Sequence, residues 1–153
     1  MSRRNALPLL IELRRRERDR VATIAAQAQR DTQNAAGTLR MLDGYRLDYM
    51  NRSPKTSMQA TDPARLQIHD AFVGKLGEAI DDQTSRLRML SEREAAQRVA
   101  LAEQERRLKA LEILSHRRET ERRRRLETLD QKLNDEFAAQ AHRRALHRED
   151  RDD

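Results

Sequence analysis

The chain has 153 residues, of which 38% are charged and 3% are aromatic, and its net charge is +6. This composition excludes a large globular core, and four glycines and three prolines are too few for a turn-rich β fold. Without cysteine the chain has neither disulfides nor thiolate metal ligands. No apolar run approaches the roughly 18 residues of a membrane span, so we expect a cytoplasmic protein without a transmembrane segment.

The first part of the chain, from about residue 4 to residue 50, has the heptad periodicity of a coiled-coil helix. Its first seam position holds Leu7, Val21, Ala28, Ala35, Leu42 and Tyr49. Its interleaved position holds Leu10, Ile24 and Tyr45. Polar residues interrupt both positions at Arg14, Glu17, Asp31 and Thr38. The pattern therefore predicts a helix whose seam is weak in the middle.

Residues 51–63 are the place where the helical pattern clearly stops. Pro54 and Pro63 lack a backbone N–H and exclude the preceding residue from the α region. Five further residues of this stretch favour caps and turns: Asn51, Ser53, Ser57, Thr61 and Asp62. One such interruption between two long helical patterns predicts an αα-hairpin with a bend near Ser57. Asp62 is predicted to cap the second helix, with Pro63 at its first position.

The second helix is predicted over about residues 64–147, which makes it longer than the first. Its seam holds Leu66, His69, Val73, Leu76, Ile80, Gln83, Leu87, Leu90, Glu94, Gln97, Leu101, Gln104, Leu108 and Leu111. A displaced apolar row follows, at Leu126, Leu129, Leu133 and Phe137. With the bend near Ser57, Leu7 faces about Leu108, and residues after about Leu114 have nothing opposite them. The prediction is an all-α, antiparallel two-helix coiled-coil hairpin that forms one domain over residues 1–153.

Positive charge is concentrated in two runs, at residues 14–20 and 116–125. The hairpin would bring both runs near the end that is distal to the bend. One interpretation is a solvated helix face with i,i+4 Glu–Arg pairs. The other is attraction to an acidic surface through a field that salt weakens.

Residues that could support catalysis are scattered. The four histidines do not form the usual i,i+4 metal pair, and His142 and His147 are five residues apart. The chain contains no glycine-rich phosphate loop and no cysteine nucleophile, and Asp81 and Asp82 are interpreted as exposed charges. We therefore predict no catalytic, cofactor or metal site, and a protein that is not an enzyme.

Three of the four aromatic residues lie close to the bend, among apolar neighbours. The group consists of Leu42, Tyr45, Tyr49, Phe72, Leu76 and Ala79. One interpretation is a small core that closes the hairpin, with Leu42, Tyr45 and Leu76 inside it. The other is an exposed patch that anchors a partner, because Tyr and Phe provide a large contact area at low entropy cost. Since a two-stranded coil cannot bury both flanks of its seam, Tyr49, Phe72 and Ala79 are expected to be the exposed members.

Four stretches of the sequence have a pattern beyond that of a general coiled coil: LPLLIELRRRERD at 7–19, LRMLDGYRLDYM at 39–50, IHDAFVGKLGEAIDDQ at 68–83 and KALEILSHRR at 109–118. They resemble the flagellar export protein family FliJ. The most specific part is the succession Leu-xx-Tyr-xxx-Tyr, loop, Phe-xxx-Leu-xx-Ala. The resemblance follows nearly the whole chain in order and length.

The resemblance implies a non-enzymatic, stalk-like component of the flagellar type III export apparatus. Its implied partners are the export ATPase, whose ring it enters, the ATPase regulator, the cytoplasmic domain of the export gate and export chaperones. It would associate peripherally with the cytoplasmic face of the inner membrane, with no cofactor. The implied gate-binding residues are Leu42, Tyr45, Tyr49, Phe72, Leu76 and Ala79, flanked by Thr38 and Gln83. By analogy with a rotary stalk, the ATPase ring would contact Arg14, Arg15, Arg18, Arg122, Arg123, Arg124 and Arg125.

Three alternatives stay open at this point. The equivalent stalk of a virulence injectisome would have the same fold and other clients. A basic coiled coil with a pI of about 10.4 is also compatible with nucleic-acid binding. Against that interpretation, the basic residues alternate with Glu and lack aromatic stacking partners, so no nucleic acid is expected among the partners. A self-assembling structural coiled coil is the third alternative.

Overall fold

A computed structural model describes residues 6–53 and 62–149. Two helices account for nearly all of these residues: α1 (Ala6–Asn51) and α2 (Pro63–Glu149). No strand occurs in the described ranges, so the predicted all-α class with a longer second helix is confirmed. Most of the predicted bend, including Pro54 and Ser57, lies outside the described residues. The described residues divide into a terminal unit (6–13 with 107–149) and a central unit (Arg14–Arg106).

The start of α2 has the predicted cap. The Asp62 carboxylate Oδ1 accepts a hydrogen bond from the Ala64 N–H at 3.1 Å, and the Asp62 carbonyl accepts one from the Leu66 N–H at 3.2 Å. Pro63 occupies the first helical position, where the missing N–H would have had no intrahelical partner. The predicted roles of Asp62 and Pro63 are confirmed.

Two hydrogen bonds between the helices of the central unit define their direction. The Gln83 amide Nε2 donates to the Ala35 carbonyl at 3.0 Å, and the His69 ring Nε2 lies 2.9 Å from the Tyr49 carbonyl. Moving 14 residues back along α1, from Tyr49 to Ala35, thus moves the partner 14 residues forward along α2. The helices are antiparallel, and this register centres on residue 59 rather than on the expected Ser57.

The seam of α2 follows the predicted heptads. All 14 predicted positions from Leu66 to Leu111 are buried or half-buried, and Leu76, Ile80 and Leu108 are the most protected of them. Gln83, Gln97, Gln104 and Glu94 remain half-buried despite their polarity. The aliphatic parts of such side chains can cover a seam while their polar ends reach solvent or backbone groups. The heptad period of α2 is therefore confirmed.

The seam of α1 follows one predicted position and departs from the other. Val21, Ala28 and Ala35 are buried, as the first position requires. For the interleaved position, the prediction is wrong by one residue in several turns. Leu10, Thr38 and Tyr45 are exposed, whereas the residues one position later, Ile11, Leu39 and Arg46, are buried or half-buried. Positions i+3 and i+4 both flank residue i on a helix, so two apolar neighbours such as Leu10 and Ile11 are equally good candidates.

The hydrophobic core is small. Among the described residues, the buried apolar side chains are Ile11, Val21, Ala28, Ala35, Leu76, Ile80 and Leu108. Three of them are alanine or valine on α1, which bury little apolar area each. Each large buried residue therefore contributes a substantial share of the stabilisation.

The C-terminal part of α2 belongs to the terminal unit and has no core contact. Every described side chain from Glu121 to Arg148 is exposed, whereas Thr120 is still half-buried. The apolar row at Leu126, Leu129, Leu133 and Phe137 is between 50% and 67% exposed. Neither described helix has an apolar stretch that could cross a bilayer.

Candidate partner-binding surfaces

Tyr49 near the end of α1 and Phe72 in the third turn of α2 form the most prominent aromatic contact of the central unit. Their ring centroids are 4.5 Å apart and the ring planes are inclined by 36°. Each side chain is 43% exposed. An inclined pair at this distance is favourable, and it leaves ring edges and faces in solvent. We call Tyr49 and Phe72 the aromatic platform.

His69 fixes the backbone that carries one half of this platform. Its Nε2 lies 2.9 Å from the Tyr49 carbonyl, and its ring centroid is 6.4 Å from that of Tyr49. The Ser53 N–H, which could have bonded this carbonyl, instead donates to Met50, so the Tyr49 carbonyl is one of the orphaned acceptors of a helix end. The imidazole is only 14% exposed, and its other nitrogen, Nδ1, lies 3.6 Å from the Asp70 carboxylate. His69 therefore joins the last turn of α1 to the first turns of α2.

The other predicted gate-binding residues differ in accessibility. Leu76 is buried, whereas Leu42 and Ala79 are half-buried. The expectation that Tyr45 closes a core is wrong, because its side chain is 50% exposed and Arg46 takes the seam position. The expected exposure of Tyr49 and Phe72 is confirmed, while Ala79 is more protected than expected.

Sequence reasoning missed two residues beside the platform. Ile68 is 70% exposed, and Arg65 lies one turn before it. Together with Tyr49, His69 and Phe72 they line an open recess of about 320 Å³. A signal was present in the sequence: Ile68 precedes the seam residue His69 and stands four residues before Phe72, so it is an apolar residue that the seam does not use.

The two flanking positions lie in a second groove of the central unit. Thr38 and Gln83 contribute to a polar groove of about 490 Å³. Its other lining residues are Asp31, Asn34, Ala35, Arg86, Leu90 and Arg93. The Thr38 hydroxyl donates to the Asn34 carbonyl at 3.1 Å, and the Gln83 amide donates to Ala35. Both side chains therefore already donate a hydrogen bond to a backbone carbonyl of α1.

The predicted arginines of α1 lie in the central unit. Arg14 and Arg18 are half-buried, and Arg15 is exposed. The Arg18 guanidinium contacts the Asp19 carboxylate at 2.7 Å. One turn away, a hydrogen bond from Arg20 lowers the pKa of Glu17 below its usual range. The α1 run is therefore a surface of mixed charge, in which Glu17 pairs with Arg20 and Asp19 with Arg18.

The predicted arginines of α2 lie in the terminal unit, and all four are exposed. Arg122 donates two hydrogen bonds to the Glu119 carboxylate, at 3.0 and 2.9 Å, and Arg123 donates a longer one at 3.5 Å. The Arg122 hydrogen bonds are the main cause that lowers the pKa of Glu119, with a smaller contribution from Arg123. Arg124 and Arg125 line a shallow apolar surface with Thr128 and Leu129. This run therefore presents more positive than negative charge.

No set of three or more His, Asp or Glu side chains that could hold a metal ion occurs in the part of the chain that the structure describes. The features that remain are an antiparallel seam, an exposed aromatic platform and two arginine-rich surfaces. They define a coiled-coil hairpin protein whose accessible surfaces are suited to contacts with other proteins.

The chain matches the family model described as "Flagellar FliJ protein" over residues 3–147. It therefore belongs to the FliJ family of flagellar type III export proteins, which confirms the resemblance noted in its sequence. Neither the curated proteins nor the solved structures include a match to it.

Proposed function

We propose that this chain is a non-enzymatic stalk and adaptor of the flagellar type III export apparatus. It inserts into the ring of the export ATPase, promotes assembly and activity of that ring, and couples it to the cytoplasmic domain of the export gate. It also binds the ATPase regulator and export chaperones. The single observation that carries the proposal is the family match over residues 3–147.

The gate contact in this proposal centres on the aromatic platform. Tyr49 and Phe72 are exposed enough to enter a partner surface, and their mutual contact restricts their rotamers before binding. Aromatic side chains that are already ordered lose little entropy on association, which makes them efficient anchors. Tyr45, Leu42 and Ala79 would extend the contact, and the buried Leu76 would support it from below. Binding to the gate would hold the protein peripherally at the cytoplasmic face of the inner membrane.

The ATPase contact in this proposal uses Arg14, Arg15 and Arg18 of α1 and Arg122 to Arg125 of α2. Four consecutive exposed arginines, of which Arg122 and Arg123 pair with Glu119, attract a partner surface with excess carboxylates. Such an interaction guides association and is weakened by salt, because exposed charges are screened over about 8 Å at physiological ionic strength. A shallow ionic contact of this kind suits a stalk that must not be locked tightly in a ring.

ATP hydrolysis by the matching flagellar export ATPase tests this function. The wild-type chain is expected to stimulate hydrolysis, and the effect should decline as salt is added. Changing Arg122, Arg123, Arg124 and Arg125 together to Ala should reduce the stimulation by about fivefold or more, since the main ionic contact is removed.

A matched variant controls for loss of charge alone. This second variant removes the same number of positive charges from exposed positions of α2 in the central unit, by changing Arg86, Arg88, Arg93 and Arg98 to Ala. It should leave the stimulation nearly unchanged. Equal losses in both variants would indicate a nonspecific charge effect. No stimulation and no binding by the wild-type chain at low salt would refute the ATPase role.

A further inference from the structure

The recess beside the aromatic platform has the construction of a small binding site. Ile68 and Phe72 are one turn apart on α2, and Tyr49 reaches the same place from α1. Ile68 is 70% exposed, one of the highest values for an apolar side chain in the described residues. An apolar recess of about 320 Å³ accommodates one or two large side chains of a partner.

The floor of this recess is held in place before any partner arrives. His69 bonds the Tyr49 carbonyl across the two helices, and its imidazole is largely protected from solvent. The Tyr49 and Phe72 rings are in contact at 4.5 Å, so neither ring can collapse into the recess without breaking that contact. A site with fixed walls binds with a lower entropy cost than one that must be ordered on binding.

Arg65 adds a charge to the rim. It is exposed, lines the recess, and makes no ion pair or side-chain hydrogen bond with any other described residue. This differs from many arginines of the chain, such as Arg122 and Arg98, which pair with a glutamate three or four residues away. An arginine without such a pair at the edge of an apolar site is free to receive a carboxylate from a partner.

We propose that the recess formed by Tyr49, Arg65, Ile68, His69 and Phe72 binds a large apolar side chain of the export gate, and that Arg65 receives a carboxylate next to that side chain. This inference rests on the proposed function, because it takes the cytoplasmic domain of the gate as the partner. It adds Ile68 and Arg65 to the contact surface, gives His69 a positioning role, and specifies the chemistry of the gate segment. The segment carries a large apolar residue with an aspartate or glutamate close to it.

Isothermal titration of the full chain with the purified cytoplasmic domain of the gate tests the proposal. Ile68→Ala should weaken binding about tenfold, because the apolar side chain that enters the recess loses one wall. Arg65→Ala should weaken binding about fivefold at low salt and less at high salt, whereas Arg65→Lys should retain part of the affinity. His69→Gln retains a donor for the Tyr49 carbonyl and should bind better than His69→Leu.

Matched controls come from elsewhere in the helices. Val99 is 68% exposed, so Val99→Ala controls for loss of an exposed apolar side chain, and Arg144→Ala controls for loss of an exposed arginine. Both should bind like the wild type. A set of Asp→Ala and Glu→Ala variants of the gate domain should include one whose effect is not additive with Arg65→Ala, which identifies the carboxylate.

The outcomes separate the two proposals. If Tyr49→Ala and Phe72→Ala abolish binding while Ile68→Ala and Arg65→Ala bind like the wild type, the recess proposal is overturned and gate binding stands. If the wild-type chain does not bind the gate domain, both the gate contact and the recess proposal are overturned.

Discussion

Changing Tyr49 and Phe72 together to Ala is expected to weaken binding of the gate's cytoplasmic domain about 100-fold, which corresponds to about 2.7 kcal/mol. The two rings are the largest accessible anchors of the central unit that contact each other. Truncating an aromatic residue at the centre of an interface often costs about 2 kcal/mol of binding free energy. Because the two rings touch, their costs are not additive and the double variant loses less than the sum. Titration calorimetry with the wild type and the double variant measures the change.

The double variant should keep its fold. The hydrogen bond between the helices is accepted by the Tyr49 backbone carbonyl, which alanine also provides. Both side chains are 43% exposed, so their removal leaves no closed cavity. Circular dichroism should therefore give a helical content close to that of the wild type. As a control, Met89→Ala with Val99→Ala removes two exposed apolar side chains from α2 and should leave gate binding intact. Equal affinities for the double variant and this control would refute the role of the platform.

Replacing Ile80 by Ala is expected to lower the free energy of unfolding by about 2 to 4 kcal/mol. Ile80 is 7% exposed and is one of few large side chains in the core of the central unit, where α1 supplies mainly Val21, Ala28 and Ala35. The register of the helices places Ile80 opposite about residue 38 of α1, close to Ala35, whose methyl group cannot extend into the space left by the substitution, so the loss of packing is not repaired. For a hairpin with so small a core, this change removes a large fraction of the total stability.

Urea denaturation followed by circular dichroism measures this loss. Val99→Ala serves as the control because Val99 is 68% exposed, and it should change the free energy of unfolding by less than about 0.5 kcal/mol. A loss below about 1 kcal/mol for Ile80→Ala would contradict the burial of this position.

The sequence predicts the seam of α2 better than that of α1, for a physical reason. In α2, leucine occupies seven of the 14 heptad positions from Leu66 to Leu111, so the repeat of leucine marks one face even though other apolar residues such as Ile68 and Met89 lie beside it. In α1, the apolar pair Leu10 and Ile11 offers two registers of equal hydrophobicity, and the choice between them depends on the partner helix. The burial of Ile11 and the exposure of Tyr45 are therefore tertiary effects.

The sequence also predicts part of the candidate surfaces. The clustering of Tyr49 and Phe72 near the bend follows from the hairpin topology alone. The recess does not, because it depends on which residues face each other across the helices. The register of the two helices determines that His69 bonds the Tyr49 carbonyl, and a shift of a few residues would bring a neighbour of His69 to that place. The sequence shows where the arginines are, but not which of them form ion pairs. Side-chain geometry determines that Arg122 pairs with Glu119, whereas Arg65 at the recess has no such pair with a described residue.

In the proposed function, one chain connects the ATPase to the gate through separate surfaces. Analytical ultracentrifugation of the wild-type chain with the export ATPase and the gate's cytoplasmic domain tests it most directly. We predict one sedimenting species that contains all three proteins. The Tyr49→Ala, Phe72→Ala variant should lose only the gate domain, and the variant with Arg122 to Arg125 changed to Ala should lose only the ATPase. Displacement of the ATPase by the gate domain, with no species that contains all three, would contradict the claim.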